Sequence, residues 1–169
     1  MNVTFNGAEF RHVLGHYPTG VCAVTAMDGG RPVAMVVGSF TSASLDPPLV
    51  AFLPDRKSRS WPRIARAGRF CVNVLAEDQQ PVCRALASRD DDKFQDVAHR
   101  SSAQGLPIID GAIAWIECAL HAVHEAGDHF IALGRVQSLK VVHRGRPLLF
   151  FRGGYGSFAA LGESGTVVP

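Results

Sequence analysis

Residues 114–141 read AWIECALHAVHEAGDHFIALGRVQSLKV and carry the clearest strand pattern in the chain. Apolar side chains recur at every second position from Ala114 to Ala122, which is typical of a half-buried β-strand. Ala126-Gly127-Asp128 supplies turn residues, and the apolar pattern returns from His129 to Val142. This stretch therefore predicts two long antiparallel strands joined by a tight turn.

Shorter strand patterns lie on both sides of this pair. Val21 to Met27 and Val33 to Val37 flank Asp28-Gly29-Gly30, a combination that predicts a β-hairpin. Three further strands are predicted at Leu49–Leu53, Phe70–Leu75 and Leu148–Phe151. A polar segment from Ser88 to Lys93 is followed by a predicted loop through Asp110.

Three short segments have helical patterns. Apolar residues at helical spacing predict a helix from Ala8 to His16, and Ser58 or Ser60 can cap a second helix from Trp61 to Ala67. A third is predicted from Asp78 to Ala87. Many strands with few helices predict a mainly β (α+β) fold, an antiparallel barrel with short capping helices.

Length, composition and charge indicate what general class of protein this is. With 169 residues, 47% of them hydrophobic, the chain fits one domain over residues 1–160, followed by a flexible C-terminal tail at 161–169. A net charge of +2 gives no sign of nucleic-acid binding. No export signal and no apolar run of about 18 residues is visible, so we expect no membrane association and a cytoplasmic location.

The cysteines and the absence of hydrolytic motifs limit the kinds of reaction that this chain can catalyse. Cys22, Cys71, Cys83 and Cys118 are irregularly spaced among apolar neighbours, which predicts reduced core thiols and no metal site. No HExxH motif, paired carboxylates or Ser/His/Asp ordering is visible for hydrolysis. Such a chain suits chemistry in which bound cofactors supply the reacting atoms and the protein orients them.

A first candidate binding segment runs from Gly38 to Pro48 and is rich in Ser and Thr. Small hydroxylated residues leave main-chain groups open to the edge of a flat polar ring. The alternative is an ordinary turn without a ligand, because hydroxyl residues are common turn formers.

Two further candidates follow. Residues 56–63 combine basic and hydroxyl residues before a predicted helix, so they form either a phosphate site or a capped surface helix with solvated arginines. Gly127-Asp128-His129 places a histidine that either contacts a nucleotide or only hydrogen-bonds within its turn. No Gly-x-Gly-x-x-Gly fingerprint follows the first strand, which disfavours a Rossmann fold.

Several motifs together resemble one known family. They are Pro18-Thr19-Gly20-Val21, Ser39 to Pro48, Ser58-x-Ser60-Trp61-Pro62, Phe70 to Leu75, Asp92-Lys93-Phe94, Gly127-Asp128-His129 and Pro147-Leu148-Leu149-Phe150. In this order, from about Phe10 to Tyr155, the chain resembles the short-chain flavin reductases, the reductase components of two-component flavin-dependent monooxygenases.

The resemblance implies a split β-barrel homodimer with flavin near the subunit interface. It implies an NAD(P)H:flavin oxidoreductase that transfers a hydride from NADH or NADPH to FMN or FAD and supplies reduced flavin to a separate monooxygenase. The isoalloxazine and ribityl chain would lie at Met35, Val36, Val37, Gly38, Ser39, Thr41 and Ser42. The phosphate would lie at Arg56, Lys57, Ser58, Pro62, Arg63, Ser88 and Arg89.

The nicotinamide nucleotide would face His129, the one expected catalytic residue, with Arg152, Gly153, Gly154 and Tyr155. Two other functions stay open at this point. One is a flavin storage or sensor module without NAD(P)H turnover, and the other is an oxidase of the same barrel type that keeps FMN tightly. The sequence does not separate FMN from FAD or NADH from NADPH.

Overall fold

The structure, a computed structural model, describes residues 5–161 as antiparallel β-strands with three short helices. The helices are α1 (Gly7–Leu14), α2 (Trp61–Ala67) and α3 (Gln80–Ala87). The strands are β1 (Thr19–Gly20), β2 (Cys22–Asp28), β3 (Arg31–Val37), β4 (Thr41–Ser44), β5 (Leu49–Phe52), β6 (Arg69–Val74), β7 (His99–Ser101), β8 (Pro107–Ile109), β9 (Ala114–Ala126), β10 (His129–Val141), β11 (Leu148–Phe151) and β12 (Gly154–Ser157).

The long hairpin β9–β10 lies within a seven-stranded sheet of order β3-β2-β6-β9-β10-β5-β4. Its register runs from Ala114 opposite Val141 to Ala126 opposite His129, which confirms the predicted pair to within one residue. Gly127 makes the turn with a φ of 64°, a conformation that glycine adopts without strain. A register shift between Leu133 and Gly134 bends this hairpin.

The two outer strands of this sheet are β3 and β4, and each pairs on one side only in the described chain. The mainly β antiparallel class with short helices is therefore confirmed, whereas hydrogen bonds within this chain leave the sheet open. A three-stranded sheet of order β1-β11-β12 and the hairpin β7–β8 complete the strands.

The first core cluster lies between α2 and one face of the large sheet, and three aromatic rings lie within it. The Phe52 ring meets the Trp61 and Phe70 rings edge to face, with centroids 5.7 and 5.3 Å away. Gly134 allows this packing, because a Cβ there would collide with the Phe70 ring and lie 3.0 Å from the Cys118 Cβ. The cluster holds α2 against β2 and β6.

The second core cluster lies beneath α3. Leu86 and Cys83 of α3 pack with Phe94, Leu75 and Ala34, all of them buried. This packing fixes α3 beside β3, so the outer edge of β3 and the end of α3 face one another. β3 and α3 thereby form two walls of a cleft.

The prediction of a loop after Lys93 through Asp110 was wrong in part, because this region contains the β7–β8 hairpin. The hairpin packs on the face of the sheet opposite the first core cluster, where the Thr25 hydroxyl donates to the Pro107 carbonyl and the Ile109 N–H donates to Asn73 Oδ1 at 2.9 Å. Hydrogen bonds from residues distant in the chain stabilise this hairpin. Its own residues have only a weak alternating pattern, so the sequence did not predict it.

This hairpin also affects Glu117, which lies between the apolar positions of the alternating pattern in β9 and would face water if that pattern alone decided its environment. Glu117 is only 2% exposed, and its Oε1 has no hydrogen-bond partner among the described residues. It lies opposite Cys71 in the register, and Cys71 packs with Leu106 and Ile108 beside the hairpin. Glu117 is thus buried on the face of the sheet against which the later β7–β8 hairpin packs.

Smaller differences concern element ends. Thr41–Ser44, expected as a turn, is the outer strand β4, and Gly154–Ser157 forms β12 against β11. The first helix ends at Leu14, because Gly15 already closes it with an N–H bond to the Arg11 carbonyl. Trp61–Ala67 is confirmed as predicted.

All four cysteines are buried free thiols, as predicted. None of the helices between residues 5 and 161 is long and apolar enough to cross a membrane. The predicted tail lies outside the described residues, except for Leu161. The single domain over 1–160 stays a prediction.

Candidate functional site

A cleft of about 1140 Å³ opens between four walls, and Phe10 and Leu14 of α1 also line it. One wall is β3 and the residues after it, and a second is the segment from Asp55 into the start of α2. The end of α3 with the loop behind it forms the third, and the β9–β10 turn forms the fourth. The two core clusters position these walls.

The β3 wall exposes main chain to the cleft. Met35, Val36, Val37, Gly38 and Ser39, which the resemblance assigns to the isoalloxazine and ribityl chain, all line it. Because β3 pairs only with β2, main-chain groups on its outer edge remain outside the sheet ladder. Such an edge can hydrogen-bond the rim of a flat heterocycle without any special side chain.

The end of the cleft between the start of α2 and the loop after α3 is the cationic end, because five basic side chains line the cleft against the three acids Asp55, Asp90 and Asp91. Lys57, Arg63 and Arg89 were predicted there and do line the cleft, together with Ser58 and Ser88. Arg59 lines it as well, donating to the Arg89 carbonyl at 3.2 Å and to Asp91 Oδ1 at 2.9 Å. These bonds link the start of α2 to the loop after α3.

Lys93 of the Asp92-Lys93-Phe94 motif also lines the cleft, although the sequence did not predict a role for it. Its Nζ donates to the carbonyls of Ala34 and Leu86, at 3.2 and 3.0 Å, and to the Ser60 hydroxyl at 3.2 Å. Burial, followed by the nearby charges of Arg59 and Arg63, lowers the pKa of Lys93. This cation joins three walls of the cleft.

The start of α2 contributes less than the sequence suggested. This helix has only seven residues, and its N-cap Ser60 makes no side-chain capping bond. Ser58 Oγ instead accepts the N–H of Trp61 at 3.1 Å. Attraction for an anion at this end therefore comes mainly from side-chain cations.

His129 lines the cleft from the β9–β10 turn. Main-chain hydrogen bonds from the Arg56 N–H to the Asp128 carbonyl and from the Phe130 N–H to the Pro54 carbonyl hold this turn beside Lys57. His129 Nδ1 lies 2.8 Å from Asp128 Oδ1, and this hydrogen bond lowers the pKa of Asp128. Asp128 therefore fixes one ring nitrogen and leaves the other to a ligand.

Four residues predicted at the flavin do not line the cleft. Thr41 and Ser42 lie on β4, at the opposite edge of the sheet. Pro62 is exposed on α2. Arg56 points toward the β9–β10 turn, with Nη2 2.9 Å from Glu125 Oε1, and it covers the Phe130 ring.

The segment predicted for the nicotinamide nucleotide lies elsewhere in this chain. Arg152, Gly153 and Gly154 lie at the β11–β12 turn, where the Arg152 N–H donates to the Gly15 carbonyl. Tyr155 lines a second cavity of about 190 Å³ with Phe150. Its hydroxyl lies 3.4 Å from Cys83 Sγ, a contact that raises the pKa of Tyr155. Only His129 of this group reaches the large cleft.

The residues present fit a flavin nucleotide. The β3 edge supplies main-chain groups for the isoalloxazine rim, and the cationic end supplies charge for a phosphate. Thiol chemistry is disfavoured, because burial raises the pKa of Cys22, Cys71 and Cys118 to about 12. Fold and cleft together are those of a mainly β protein with a cleft suited to an anionic ligand that has a flat polar ring.

Comparison with known proteins gives the family. A model of the flavin reductase-like domain matches residues 14–159. A flavin reductase of Pseudomonas putida is 62% identical over 153 residues, covering 90% of each chain. The reductase subunit HsaB of a flavin-dependent monooxygenase from Rhodococcus jostii is 51% identical, over 87% of this chain and 75% of its own.

Solved structures agree. Nitrilotriacetate monooxygenase component B of Mycobacterium thermoresistibile has a TM-score of 0.87 at 47% identity, over 95% of this chain and 89% of its own. The NADH:FAD oxidoreductase SgcE6 of Streptomyces globisporus, in complex with NAD and FAD fragments, has a TM-score of 0.86 at 36% identity, over 92% and 94%. This chain belongs to the flavin reductase-like family.

The prediction of a flavin reductase, an NAD(P)H:flavin oxidoreductase, is thereby confirmed. So are its two types of substrate, a flavin and a reduced nicotinamide nucleotide.

Proposed function

We propose that the large cleft is the flavin site of this reductase. The isoalloxazine lies along the outer edge of β3 at Met35–Ser39, and the phosphate lies among Lys57, Arg63 and Arg89. Ser58 and Ser88 border the same end. The observation that supports this placement best is the combination, in one cleft, of an unpaired strand edge with a cationic end.

His129 faces the nicotinamide nucleotide in this proposal. Hydride transfer is the chemistry that the two ligands supply when both are bound, and the protein binds and orients them. Because Asp128 holds one nitrogen of the imidazole, the ring has a defined orientation toward the cleft. A fixed ring can orient an incoming nucleotide without taking part in bond making.

The functional unit is proposed to be a homodimer with the split-barrel arrangement. Phe10, Val13 and Leu14 recur on one face of α1, yet they are 49–62% exposed, and α1 has no buried residue. Phe10 and Leu14 also line the large cleft, so a second copy that covers this face would bury apolar surface beside the proposed flavin site. It could also bring residues absent from the large cleft, such as Arg152, to a shared site.

Reduced flavin is proposed to pass to a separate oxygenase component in the cytoplasm. The relative from Rhodococcus jostii is named as the reductase subunit of such a system. The proposed flavin site is an open cleft, and several of the cations that line it are exposed. Such a site suits a flavin that is bound and released in each cycle. FMN and FAD both satisfy the chemistry of the cleft.

The test is oxidation of NADH and of NADPH by the purified protein, followed by absorbance, with FMN or FAD added over a range of concentrations. We expect a rate that rises with added flavin and saturates. A rate equal to the protein-free background would contradict the proposal. Equilibrium dialysis of FMN and FAD in parallel separates binding from turnover.

The same assays discriminate the two other functions left open by the sequence. A storage or sensor module would bind flavin in dialysis and leave the nicotinamide nucleotide unoxidised. An oxidase with tightly held FMN would purify yellow, and added flavin would not accelerate it. Either result would replace the proposed release of reduced flavin.

A further inference from the structure

Asp28, at the end of β2, binds two arginines of α2. Its carboxylate accepts hydrogen bonds from Arg63 Nε at 3.0 Å, from Arg66 Nε at 3.0 Å and from Arg66 Nη2 at 2.6 Å. The Asp28 side chain is only 14% exposed. The mostly buried Asp28 carboxylate thus holds the Arg63 and Arg66 guanidinium groups through charge-assisted hydrogen bonds.

The two arginines differ in where they lie. Arg63 is 33% exposed and lines the large cleft, whereas Arg66 is 66% exposed and lies outside the cleft lining. Asp28 binds Arg63 through Nε alone, and within residues 5–161 the two Nη nitrogens of Arg63 make no hydrogen bond. A planar guanidinium held at Nε presents its remaining N–H groups in a fixed direction.

We propose that Asp28 is a positioning residue that fixes the Arg63 guanidinium for the phosphate of the bound flavin. Asp28 does not line the cleft, so it acts through Arg63. Its role rests on the proposed function, which places the phosphate at Arg63. The hydrogen bonds from Arg66 and Arg63 also lower the pKa of Asp28, so the carboxylate stays charged at neutral pH.

Two effects of Asp28 on phosphate binding have opposite signs. A carboxylate near the cationic end repels a phosphate, so its removal should strengthen binding through simple charge attraction. Removal also frees the Arg63 side chain, and a mobile guanidinium must be ordered again when the ligand binds. At about 0.15 M salt screening weakens the repulsion, whereas the ordering of Arg63 at contact distance does not depend on salt, so we expect the second effect to be larger.

The experiment measures dissociation constants for FMN and riboflavin by quenching of flavin fluorescence at about 0.15 M salt. Riboflavin has the same ring and ribityl chain without the phosphate, so it reports on everything except the phosphate contact. The variants are Asp28→Asn, Arg63→Gln and the double variant. Asp110→Asn is the matched control, because Asp110 forms an exposed ion pair with Arg100 and does not line the cleft.

Asp28→Asn should weaken FMN binding by about fivefold and leave riboflavin within about twofold, since only the phosphate contact is lost. Arg63→Gln should show the same pattern. The double variant should bind FMN no more weakly than Arg63→Gln, because both changes act on one interaction. Asp28→Ala, which leaves no amide donor against the arginines, provides a second variant if Asp28→Asn does not fold.

Unchanged or tighter FMN binding in the Asp28 variants would overturn the inference. Equal weakening of FMN and riboflavin, or additive effects in the double variant, would overturn it as well. If Arg63→Gln leaves the ratio of FMN to riboflavin binding unchanged, the placement of the phosphate and the role of Asp28 fail together. If only the Asp28 variants leave that ratio unchanged, the placement stands and the role of Asp28 fails.

Discussion

Lys93 Nζ donates a hydrogen bond to Ser60 Oγ over 3.2 Å and thereby joins the loop after α3 to the first turn of α2. The same nitrogen also holds the Ala34 carbonyl of β3. Lys93 therefore connects the wall proposed for the isoalloxazine to the end proposed for the phosphate. These contacts fix the distance between the two parts of the cleft.

Lys93→Met should weaken FMN binding by about tenfold, because a charge-assisted contact and the link between the walls are both lost. Lys140→Met is the control, since Lys140 is exposed on β10 and does not line the cleft. Fluorescence quenching measures both variants. Equal FMN affinity in Lys93→Met and the unmodified protein would contradict this role.

The same variant should remove an alkaline pH dependence. The pKa of Lys93 lies below its ordinary 10.5 in the folded protein, so the ammonium loses its proton at a lower pH than an exposed lysine. The advantage of the unmodified protein over Lys93→Met in FMN binding should fall as pH rises through this pKa. A constant difference up to pH 10.5 would contradict this sign.

His129→Ala should raise the KM for the nicotinamide nucleotide more than the dissociation constant for flavin. The imidazole lines the cleft from the turn opposite the β3 wall, and Asp128 orients it. His124→Ala serves as the control, because His124 is exposed on β9 and does not line the cleft. Steady-state kinetics with both substrates varied measure the effect, and an unchanged KM would remove this role.

Gly134→Ala should destabilise the protein by about 1–3 kcal/mol, the usual cost of forcing an extra carbon into a packed core. The added Cβ would meet the Phe70 ring and the Cys118 side chain. Gly20→Ala is the control, because nothing lies within 4 Å of the carbon added there. Urea unfolding gives both free energies, and equal losses would show that this contact is not the cause.

Val13→Asp should dissociate the proposed homodimer, because it places a charge on the exposed apolar face of α1. His12→Asp is the control, since His12 lies on the other side of the same helix at a comparable distance from its ends. Sedimentation at several protein concentrations measures the molar mass. A monomeric unmodified protein, or a dimer unaffected by Val13→Asp, would contradict this interface.

The prediction from sequence was most accurate where structure depends on neighbouring residues. The β9–β10 pair and α2 have the predicted bounds to within a residue, because alternation, turn glycines and capping residues act over a few positions. The Ser and Thr of Gly38–Pro48 show the opposite case. The segment leaves β3 and enters β4, so Ser39 lines the cleft and Thr41 does not.

By itself, the sequence determined the strand-rich class, the short helices, the buried thiols and the motifs that resemble flavin reductases. Only the tertiary structure decided which cations share one cleft, and it assembled Lys93 with Ala34, 59 positions away, and Asp28 with Arg63. It also buried Glu117 near a hairpin that the pattern did not show. Sheet register and core packing join distant segments, and no local period records those contacts.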